Sequence, residues 1–478
     1  MRVHRPNAFC VRAFFISNAI IKERTYSKQV RYRDSLFACN LQANYNQKEN
    51  IMITQISKLE VGKVTFHAMV DTVRDKKNMQ FIVAKDFSGK IQLFVDKVKY
   101  PEVAEVFLHL VPGATVKVTG ELVKSEYVKM GGQEVLVEAV EQTSHAEPNP
   151  IADDSTIDYK LDYRWIDLRT ERNSLMFKVQ TTFANAMREF LVEKDFVEIH
   201  SPKLIGAASE SGSEVFEVKY FDTKAYLAQS PQFYKQMAMC GGMGRIFECG
   251  PVFRAEKSHS RKHATEFTGF DLEFSNIDSV EDVMVMEEEL LAYALKVVKE
   301  KYGEQIKEVF GVEVIVPALP FPRIKLADLY KELEARYGYT IPDLEKDDLS
   351  TEAEKLCDKF AKEVYGHEFI FITDFGPRKR AFYHMRKDGI PQGYDLIWKG
   401  VEITTGAQRE HRFDILKQQA EEKGLAKDVE FYLQFFKYGC PPHGGFGLGL
   451  DRITMNLLEL ANIKESMFLF RGPDRLTP

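Results

Sequence analysis

One stretch, residues 245–274, constrains the fold more than any other. Its sequence, RIFECGPVFRAEKSHSRKHATEFTGFDLEF, holds two apolar-patterned segments, Arg245–Arg254 and Phe267–Phe274, which predict two strands. The loop between them carries three Lys or Arg and two His. Because such cations are costly to desolvate, the loop must face water or a polyanion. The stretch therefore predicts a hairpin whose tip is either simply solvated or placed at an anionic ligand.

The order of side chains in this hairpin favours the anionic ligand. Arg254, at the inner end of the first strand, can bind a phosphate with two parallel N–H groups, and His263 adds a second donor. Phe267 offers a flat face to a base. Together these groups suit a bent triphosphate. For this stretch taken alone, a simply solvated hairpin tip remains the alternative interpretation.

The pattern FRAE, then a histidine, then EFTGFDLE, resembles motif 2 of the class II aminoacyl-tRNA synthetases, and the aspartyl-tRNA synthetase branch in particular. The resemblance implies ATP as a substrate, with catalytic roles for Arg254, Glu256 and His263. The ATP contacts that it implies in this motif are Arg254, Glu256, Lys262, His263, Glu266 and Phe267. Lys262 stands where an arginine usually precedes the histidine. Lysine is a point charge and not a fork, so phosphate contact should weaken modestly.

Composition sets the outer bounds. With 478 residues, 44% of them hydrophobic, the chain can bury two or more cores, so several domains are expected. The formal net charge is -6, so a nucleic acid must be met by local basic patches. The six cysteines form no CxxC pair, which argues against a disulfide framework or a zinc site and fits a reducing compartment. No apolar run approaches the roughly twenty residues that span a bilayer, so no membrane association is expected.

Residues 1–51 differ from the rest of the chain. Residues 2–48 hold nine Lys or Arg against two acids, a composition that suits a mitochondrial targeting peptide. A disordered extension or an over-extended start of translation fits better, because residues 44–50 are low in complexity and a patterned domain opens at Met52. The predicted compartment is the cytoplasm, with the mitochondrion as the alternative if residues 1–51 are a real targeting peptide.

Residues 52–145 predict five short strands, with a helix at Glu102–Leu110 between the third and the fourth. This order suggests a small closed barrel of the OB type, which binds single-stranded nucleic acid, although an SH3-like barrel has a similar strand pattern. On such a sheet Phe81 can stack on a base and Gln92 can hydrogen-bond its edge. Ahead of a synthetase core, the barrel resembles the family's anticodon-binding domain. The resemblance implies that Phe81 and Gln92 read the central anticodon base.

Residues 146–173 predict a hinge, because two prolines and two aspartates fall within Pro148–Thr156. The predicted catalytic domain, residues 174–478, opens with an apolar helical stripe at Leu175–Lys194 and a strand that ends at Pro202. By themselves these are an ordinary core helix and strand. In this order they resemble motif 1, which forms the homodimer interface of the family, so a homodimer is implied.

Two cations far apart in the sequence, Lys235 and Arg409, suit recognition of a side-chain carboxylate. Asparagine is neutral and would leave buried cations unpaired, at a cost of roughly 3 to 5 kcal/mol. Asp271 supplies a carboxylate for a substrate ammonium group, with Ser230 and Gln232 beside it. The pocket is thus expected to be complementary to aspartate. The resemblance implies an aspartate site formed by Glu210 on a closing loop, Ser230, Gln232, Lys235, Asp271, Thr405 and Arg409.

A metal site is predicted at YDLIWKGVE. Asp395 and Glu402 lie on either side of a turn at Lys399–Gly400, so both can point to one side of a hairpin. Paired carboxylates near a triphosphate suit Mg²⁺, which prefers oxygen ligands and keeps several waters. The resemblance makes these the metal-binding acids, with Thr405 in place of the usual serine ligand.

The glycine-rich run PPHGGFGLGLDRITM predicts a strand that enters a helix, with a backbone open to close approach by a ligand. It resembles motif 3, which implies ATP contacts at Gly449, Asp451 and Arg452, together with Glu402 from the metal hairpin. Arg452 is also implied to be catalytic. Asp451 stands where Glu is more frequent, and the chain ends in LFRGPDRLTP without the family's FPRD sequence.

The predicted fold class is α+β, with an N-terminal OB-fold barrel followed by a class II synthetase catalytic domain, an antiparallel sheet flanked by helices. The resemblance spans about residues 52–478 and most resembles the archaeal and eukaryotic type of aspartyl-tRNA synthetase. It implies ATP-dependent attachment of aspartate to tRNA(Asp), with tRNA(Asn) as a second possible acceptor, through an aspartyl-adenylate. Three alternatives are an asparaginyl-tRNA synthetase, an amino-acid-activating paralogue that charges no tRNA, and a non-catalytic tRNA-binding module.

Overall fold

The computed structural model describes residues 54–209, 214–342 and 346–478. Contacts divide the chain into two compact units, one that ends at Pro150 and one from Ile151 to Pro478. The predicted extension at residues 1–51 and the predicted substrate residue Glu210 lie outside the described residues. In the described part, no helix has both the length and the apolar character needed to cross a membrane.

The first unit is a closed barrel of five strands, as predicted, in the order β1-β2-β3-β5-β4. Its elements are β1 (Gly62–Asp75), β2 (Met79–Lys85), β3 (Lys90–Asp96), α1 (Pro101–Leu108), β4 (Thr115–Lys124) and β5 (Gln133–Ser144). Along β2 and β3 every second side chain is buried, because successive side chains of a strand point to opposite faces. Ile82 and Leu93 belong to the inward set that fills the barrel. Phe81 and Gln92 belong to the outward set.

Among its described residues, the second unit forms one large sheet and two small ones, β7-β9-β8 and β14-β15. Its strands are β6 (Val197–Glu198), β7 (Leu204–Ile205), β8 (Glu217–Tyr220), β9 (Thr223–Leu227), β10 (Arg245–Phe253), β11 (Glu266–Ser275), β12 (Arg323–Lys325), β13 (Phe369–Thr373), β14 (Arg386–Lys387), β15 (Ile390–Pro391), β16 (Gly393–Trp398), β17 (Val401–Arg409) and β18 (His443–Gly449). Its helices are α2 (Ile157–Asp162), α3 (Arg164–Asp167), α4 (Glu171–Glu193), α5 (Gln232–Cys240), α6 (Val280–Phe310), α7 (Leu326–Tyr337), α8 (Thr351–Phe360), α9 (Phe413–Glu422), α10 (Glu430–Phe436), α11 (Leu450–Leu457) and α12 (Ile463–Ser466).

The large sheet has eight strands in the order β12-β13-β16-β17-β18-β11-β10-β6. All pairs from β13 to β10 are antiparallel, whereas the outer pairs β12 with β13 and β6 with β10 are parallel. The predicted antiparallel sheet is therefore correct for the centre and wrong at both edges. Parallel neighbours need a long crossover connection, and each edge pair has one, through α7 and α8 or through α5.

Two predicted hairpins form the centre of this sheet. β10 and β11 pair over their whole lengths, from Arg245 opposite Phe274 to Phe253 opposite Glu266. β16 and β17 are joined by the predicted turn, where Lys399 and Gly400 both adopt positive φ angles of 48° and 72°. The second hairpin brings Asp395 directly opposite Thr405.

A continuous apolar core lies between the sheet and the helices α4 and α6, with Val179, Phe183 and Leu291 buried against Phe247 and Phe270. These helices thus hold the central strands in place.

The segment predicted as a hinge includes residues that pack into the second unit. Arg164, on α3, is buried and donates hydrogen bonds to the carbonyl oxygens of Glu465 (2.8 Å), Met467 (2.7 Å) and Phe468 (3.2 Å). Residues 151–173 therefore belong structurally to the second unit, and only the residues before them can act as a linker to the barrel.

Candidate active site

One cavity in the second unit gathers most of the predicted site residues. Its walls come from β11, β17 and β18, the start of α5 and of α11, and the loop at residues 254–265, which we call the motif 2 loop. The predicted residues that line it are Ser230, Gln232, Lys235, Arg254, Glu256, Lys262, His263, Phe267, Asp271, Glu402, Thr405, Arg409, Gly449, Asp451 and Arg452.

One end of the cavity, which we call the sheet end, is lined by Lys235, Asp271 and Arg409, and Glu273 pairs with both cations from behind the lining. The Lys235 ammonium group lies 3.0 Å from Asp271 Oδ1 and 3.4 Å from Glu273 Oε2. Arg409 Nε donates to Glu273 Oε1 at 3.1 Å, and Arg409 Nη2 donates to the Gly445 carbonyl oxygen at 2.9 Å. All four side chains are buried. The sheet end thus holds two basic and two acidic side chains, all of them buried, within a small volume.

This arrangement corrects part of the sequence argument. Lys235 and Arg409 were expected to need a substrate carboxylate as their counter-ion, but Glu273 contacts both of them. Burial opposes ionisation of Glu273, yet Arg409 and Lys235 outweigh that effect and hold its pKa below the ordinary value. Asparagine would therefore not leave the two cations wholly unpaired, and discrimination has to come from the balance of four charges.

Two further aromatic side chains complete the sheet end. His384 Nε2 lies 3.3 Å from Arg409 Nη1, and the Arg409 guanidinium lies 5.5 Å from the centre of the Tyr383 ring. Burial and the charge of Arg409 lower the pKa of His384 well below its ordinary value, so the imidazole is neutral. A neutral imidazole can accept a hydrogen bond from Arg409 without adding charge.

The polar wall beside the sheet end is fixed by hydrogen bonds. The Gln232 backbone N–H donates to Ser230 Oγ at 3.2 Å, and the Gln232 side-chain amide donates to Gln236 Oε1 at 2.7 Å. Gln236 Oε1 also accepts from the Tyr432 hydroxyl at 2.9 Å. The first turn of α5 is therefore held in one orientation.

At Gly447, within the glycine-rich run, the backbone is closely approached by a side chain of the protein itself. A Cβ atom there would lie 2.6 Å from Asp271 Oδ1, closer than real contacts allow. Glycine at this position leaves room for the Asp271 carboxylate that pairs with Lys235.

The other end of the cavity, which we call the loop end, is formed by Arg254, Lys262, His263, Glu402 and Arg452. The Arg254 guanidinium lies 5.6 Å from the centre of the Phe267 ring, and its Nε is buried without a hydrogen-bond partner among the described residues. A buried donor without an acceptor is costly, which makes this group a candidate for binding an anion.

His263 also faces the loop end. Burial and the nearby Arg452 charge lower its pKa, so the imidazole is neutral near pH 7. Its Nδ1 is hydrogen-bonded to the Ser260 hydroxyl, within the motif 2 loop. A neutral imidazole held in this way can still donate one hydrogen bond to a phosphate oxygen.

Glu402 lies at the loop end with a raised pKa of about 7, because burial and the Asp395 carboxylate disfavour its charged form. The Thr405 hydroxyl lies 2.9 Å from Asp395 Oδ1 and 3.2 Å from Glu402 Oε1. The three predicted metal ligands are thus brought together. A cation beside Glu402 would favour the ionised carboxylate.

Asp395 itself does not line the cavity. Both of its oxygens accept hydrogen bonds from Arg380, at 2.8 and 2.6 Å, and Arg380 lies 3.6 Å from the centre of the Phe375 ring. Among the described residues, no group of three His, Cys, Asp or Glu could hold a metal ion. Glu402 and Thr405 fit a cation that also uses phosphate and water oxygens, whereas Asp395 supports Thr405 from behind.

Of two further predicted ATP contacts, Asp451 lines the cavity with its carboxylate held in internal hydrogen bonds, whereas Glu266 lies outside the lining. Asp451 is buried and accepts from the Thr268 backbone N–H at 3.0 Å and from the Gln180 side chain at 3.2 Å, so it ties α11 to the sheet. Glu266 is exposed and does not line the cavity, because it neighbours Phe267 on a strand and points to the other face.

Several site residues were missed by sequence reasoning. They are Glu273, Glu354, Arg380, Tyr383 and His384. Only Glu273 had a local signal, since it lies two residues after Asp271 on one strand and so shares its face. The others come from segments in which no residue was predicted to belong to the site.

On the barrel, Phe81 and Gln92 lie on neighbouring strands and share the outward face. The Phe81 and Phe94 rings meet edge to face at 5.6 Å, and Gln92 Nε2 donates to Glu134 Oε2 at 2.9 Å. An aromatic pair beside an amide suits stacking and edge recognition of an unpaired base.

Comparisons with known proteins agree on both units. The family described as "tRNA synthetases class II (D, K and N)" matches residues 156–471, and the family described as "OB-fold nucleic acid binding domain" matches residues 64–142. The chain is 40% identical to the aspartate--tRNA(Asp/Asn) ligase of Aeropyrum pernix, across 89% of this chain and 98% of that protein. It is 39% identical to the aspartate--tRNA(Asp) ligase of Pyrococcus abyssi, across 88% and 97%.

Solved structures give the same picture. The asparaginyl-tRNA synthetase of Pyrococcus horikoshii complexed with asparaginyl-adenylate has a TM-score of 0.82 at 30% identity, covering 90% of this chain and 100% of that one. The aspartyl tRNA synthetase of Entamoeba histolytica has a TM-score of 0.79 at 30% identity, covering 89% and 93%.

Proposed function

The chain belongs to the class II aminoacyl-tRNA synthetases of the aspartate, lysine and asparagine group, and on this premise we propose that it attaches aspartate to tRNA(Asp) through an aspartyl-adenylate. tRNA(Asn) is a second acceptor that the proposal leaves to experiment, because one similar relative is named for both tRNAs and another for tRNA(Asp) alone.

One observation carries the proposal. A single cavity has a sheet end with buried charges of both signs and a loop end with Arg254, His263 and Arg452. The first suits an amino acid with a charged side chain, and the second suits a polyphosphate. The two substrates of an adenylate-forming reaction would therefore meet between them.

At the sheet end, the aspartate side-chain carboxylate would face Lys235 and Arg409, and the substrate ammonium group would face Asp271. Gln232 and Ser230 would supply neutral hydrogen bonds. Glu210, which precedes β8 in the sequence, is proposed to approach the bound amino acid.

At the loop end, Arg254, His263 and Arg452 would bind the phosphates, and Phe267 would stack on the adenine. Gly449 would let the backbone approach the nucleotide closely. Glu402 and Thr405 would hold Mg²⁺, which when bound neutralises phosphate charge. Glu256 is proposed to orient the nucleotide, and Asp451 to fix the start of α11, which carries Arg452, through its hydrogen bonds to Thr268 and Gln180.

No side chain has to act as a nucleophile. The aspartate α-carboxylate attacks the α-phosphorus of ATP, a P–O bond forms, and pyrophosphate leaves. A terminal ribose hydroxyl of tRNA then attacks the adenylate carbonyl, and AMP leaves with the ester formed. Arg254, His263 and Arg452 stabilise the charge that develops on phosphate, so catalysis is mostly positioning and electrostatics.

The barrel would bind the anticodon through Phe81 and Gln92, and two chains would associate through α4 and the strand after it. The cytoplasm remains the proposed compartment. It is supported by the four cysteines of the described residues, Cys240, Cys249, Cys357 and Cys440, which are all free thiols.

Asparagine is the second candidate substrate. The structural likeness to an asparaginyl-tRNA synthetase favours it. The ion pairs that Lys235 and Arg409 form with Glu273 weaken the electrostatic argument against it. The identity to aspartate--tRNA ligases over nearly their whole length supports aspartate more strongly.

Charging of separate tRNA(Asp) and tRNA(Asn) transcripts, with labelled aspartate and in parallel with labelled asparagine, tests the proposal. We expect aspartate to be esterified to tRNA(Asp). Asparagine on either transcript would overturn the assignment, and activation of aspartate without any charging would favour a paralogue that charges no tRNA.

A further inference from the structure

A ring of four residues ties the motif 2 loop to the opposite wall of the cavity. Lys262 Nζ donates to both carboxylate oxygens of Glu354, at 2.7 and 2.6 Å. Glu354 Oε2 also accepts from the Glu402 backbone N–H at 3.3 Å. Arg452 closes the ring by donating to the carbonyl oxygens of Glu402 (2.8 Å) and Lys262 (3.4 Å).

Glu354 comes from a segment without any predicted chemistry. It lies in the first two turns of α8, 92 residues from Lys262 in the chain, and α8 starts at a Ser350 cap whose hydroxyl accepts from the Ala353 N–H at 3.1 Å. The carboxylate is buried, with a side-chain exposure of 7%, and the Lys262 side chain is 15% exposed. This pair is therefore not one of the exposed ion pairs that solvent screens.

The surroundings decide what Lys262 can do. If its ammonium group turned to a phosphate, the buried Glu354 carboxylate would lose its cation and would lie beside the polyphosphate. Both changes are unfavourable, since a buried charge without its partner is strongly destabilised and like charges repel. Lys262 is therefore better suited to fixing the loop than to binding ATP directly.

We propose that Glu354 is a positioning residue for ATP, and that Lys262 acts through it as the anchor of the motif 2 loop instead of as a phosphate ligand. The pair fixes residue 262, and so sets where the adjoining His263 and the base of the loop at Arg254 meet the nucleotide. This inference depends on the proposed function, because it concerns the ATP half of the same reaction.

The test is a double-mutant cycle measured by ATP–pyrophosphate exchange at saturating aspartate. The variants are Glu354→Gln, Lys262→Met and the two combined. An anchor predicts that each single variant raises the KM for ATP about tenfold and that the double variant raises it by about the same factor, not about a hundredfold. The KM for aspartate should change less than about twofold, because the sheet end does not contact the pair.

A phosphate ligand predicts a different outcome. Lys262→Met would then raise the KM for ATP, while Glu354→Gln would leave it unchanged or lower it by removing a negative charge. That result, or additive effects in the double variant, would overturn the inference. Should Glu354→Gln not fold, as judged by its melting temperature, Glu354→Asp keeps the charge at shorter reach and should raise the KM in the same direction, about threefold.

Matched controls come from the same elements. Glu352→Gln changes an exposed carboxylate on the same helix, and Lys257→Met changes an exposed lysine in the same loop. Both should behave as wild type. If the wild-type enzyme shows no exchange with aspartate, the proposed function fails; if it shows exchange and the cycle is additive, only the role of Glu354 fails.

Discussion

The two ends of the cavity hold their charges in different ways. At the sheet end, Lys235 and Arg409 come from α5 and β17, and buried carboxylates on β11 neutralise them. At the loop end, Arg254 and His263 lie at or beyond the end of a hairpin strand, and the Arg254 Nε has no hydrogen-bond partner among the described residues. The charges of the sheet end are thus balanced without a ligand, whereas the loop end keeps a buried N–H donor that can bind an anion.

The sheet end is therefore suited to specificity for the amino acid, and the loop end to affinity for the nucleotide. A preorganised cluster of four charges changes little on binding, so it can discriminate between side chains that differ in charge. A loop has more freedom, so its donors need anchors to meet a phosphate in one geometry. Substitutions at the sheet end should therefore change mainly the KM for aspartate, and substitutions at the loop end should change mainly the use of ATP.

The largest expected effect is at the loop end. Arg254→Ala removes a donor that is proposed to face the developing phosphate charge, so ATP–pyrophosphate exchange should fall by about 10³-fold or more. Arg261→Ala, an exposed arginine in the same loop, is the control and should keep normal exchange. Near-normal exchange by Arg254→Ala, with an unchanged melting temperature, would show that the loop end does not act on the ATP phosphates through Arg254.

A smaller effect is expected at the sheet end. Lys235→Met leaves Asp271 and Glu273 with one cation fewer, so the KM for aspartate should rise about a hundredfold while the KM for ATP changes less than about threefold. The lost buried partner should also lower the free energy of unfolding by roughly 3 to 5 kcal/mol. Equal changes in both KM values would argue against a separate amino-acid end. Lys299→Met, exposed on α6, is the control.

The barrel should respond independently of both ends. Phe81→Ala should raise the KM for tRNA about tenfold, because the loss of one stacked base costs about 1 to 3 kcal/mol. ATP–pyrophosphate exchange without tRNA should not change. Tyr127→Ala, which removes a ring that is 97% exposed, is the control. A change in exchange for Phe81→Ala would mean that the barrel affects the cavity.

The smallest effect on activity, and a clear one on stability, is expected beneath the sheet. Burial raises the pKa of Glu287 on α6 to about 8, and its carboxyl group accepts a hydrogen bond from the Tyr394 hydroxyl at 2.6 Å. Since the folded state prefers the protonated acid, its contribution to stability is fully present below about pH 4.5 and is lost as the pH rises towards 8.

Glu287→Gln should therefore flatten the fall in the free energy of unfolding between pH 5 and pH 8, by up to about 1.4 kcal/mol per pH unit. Denaturant titrations across this range measure it. Glu304→Gln, exposed on the same helix, should keep the wild-type slope. An unchanged slope in Glu287→Gln would show that burial does not keep this acid protonated.

Much of the fold was predictable because its signals are local. The strands β10 and β11, the turn at Lys399–Gly400 and the passage from a glycine-rich strand into α11 follow from patterns within about ten residues of sequence. The parallel edges of the sheet were not predictable in this way, since crossover connections leave no periodic signal at the strands they join.

The site residues also divide into those with a local sequence signal and those without one. The motif 2 loop and Arg452 lie in runs whose sequence is distinctive by itself. Glu354 and Arg380 do not, because each acts through one long-range ion pair that the chain reveals only when folded. Glu266 shows the converse: its neighbours are distinctive, but strand alternation turns it away from the cavity.

The most direct test of the account compares aspartate and asparagine as substrates of ATP–pyrophosphate exchange by the wild-type enzyme and by Lys235→Met. We expect wild-type kcat/KM for aspartate to exceed that for asparagine by about 10³-fold or more, and Lys235→Met to lose most of this preference. Equal use of the two amino acids by the wild type, or an undiminished preference in the variant, would contradict the claim that the charges of the sheet end select the amino acid.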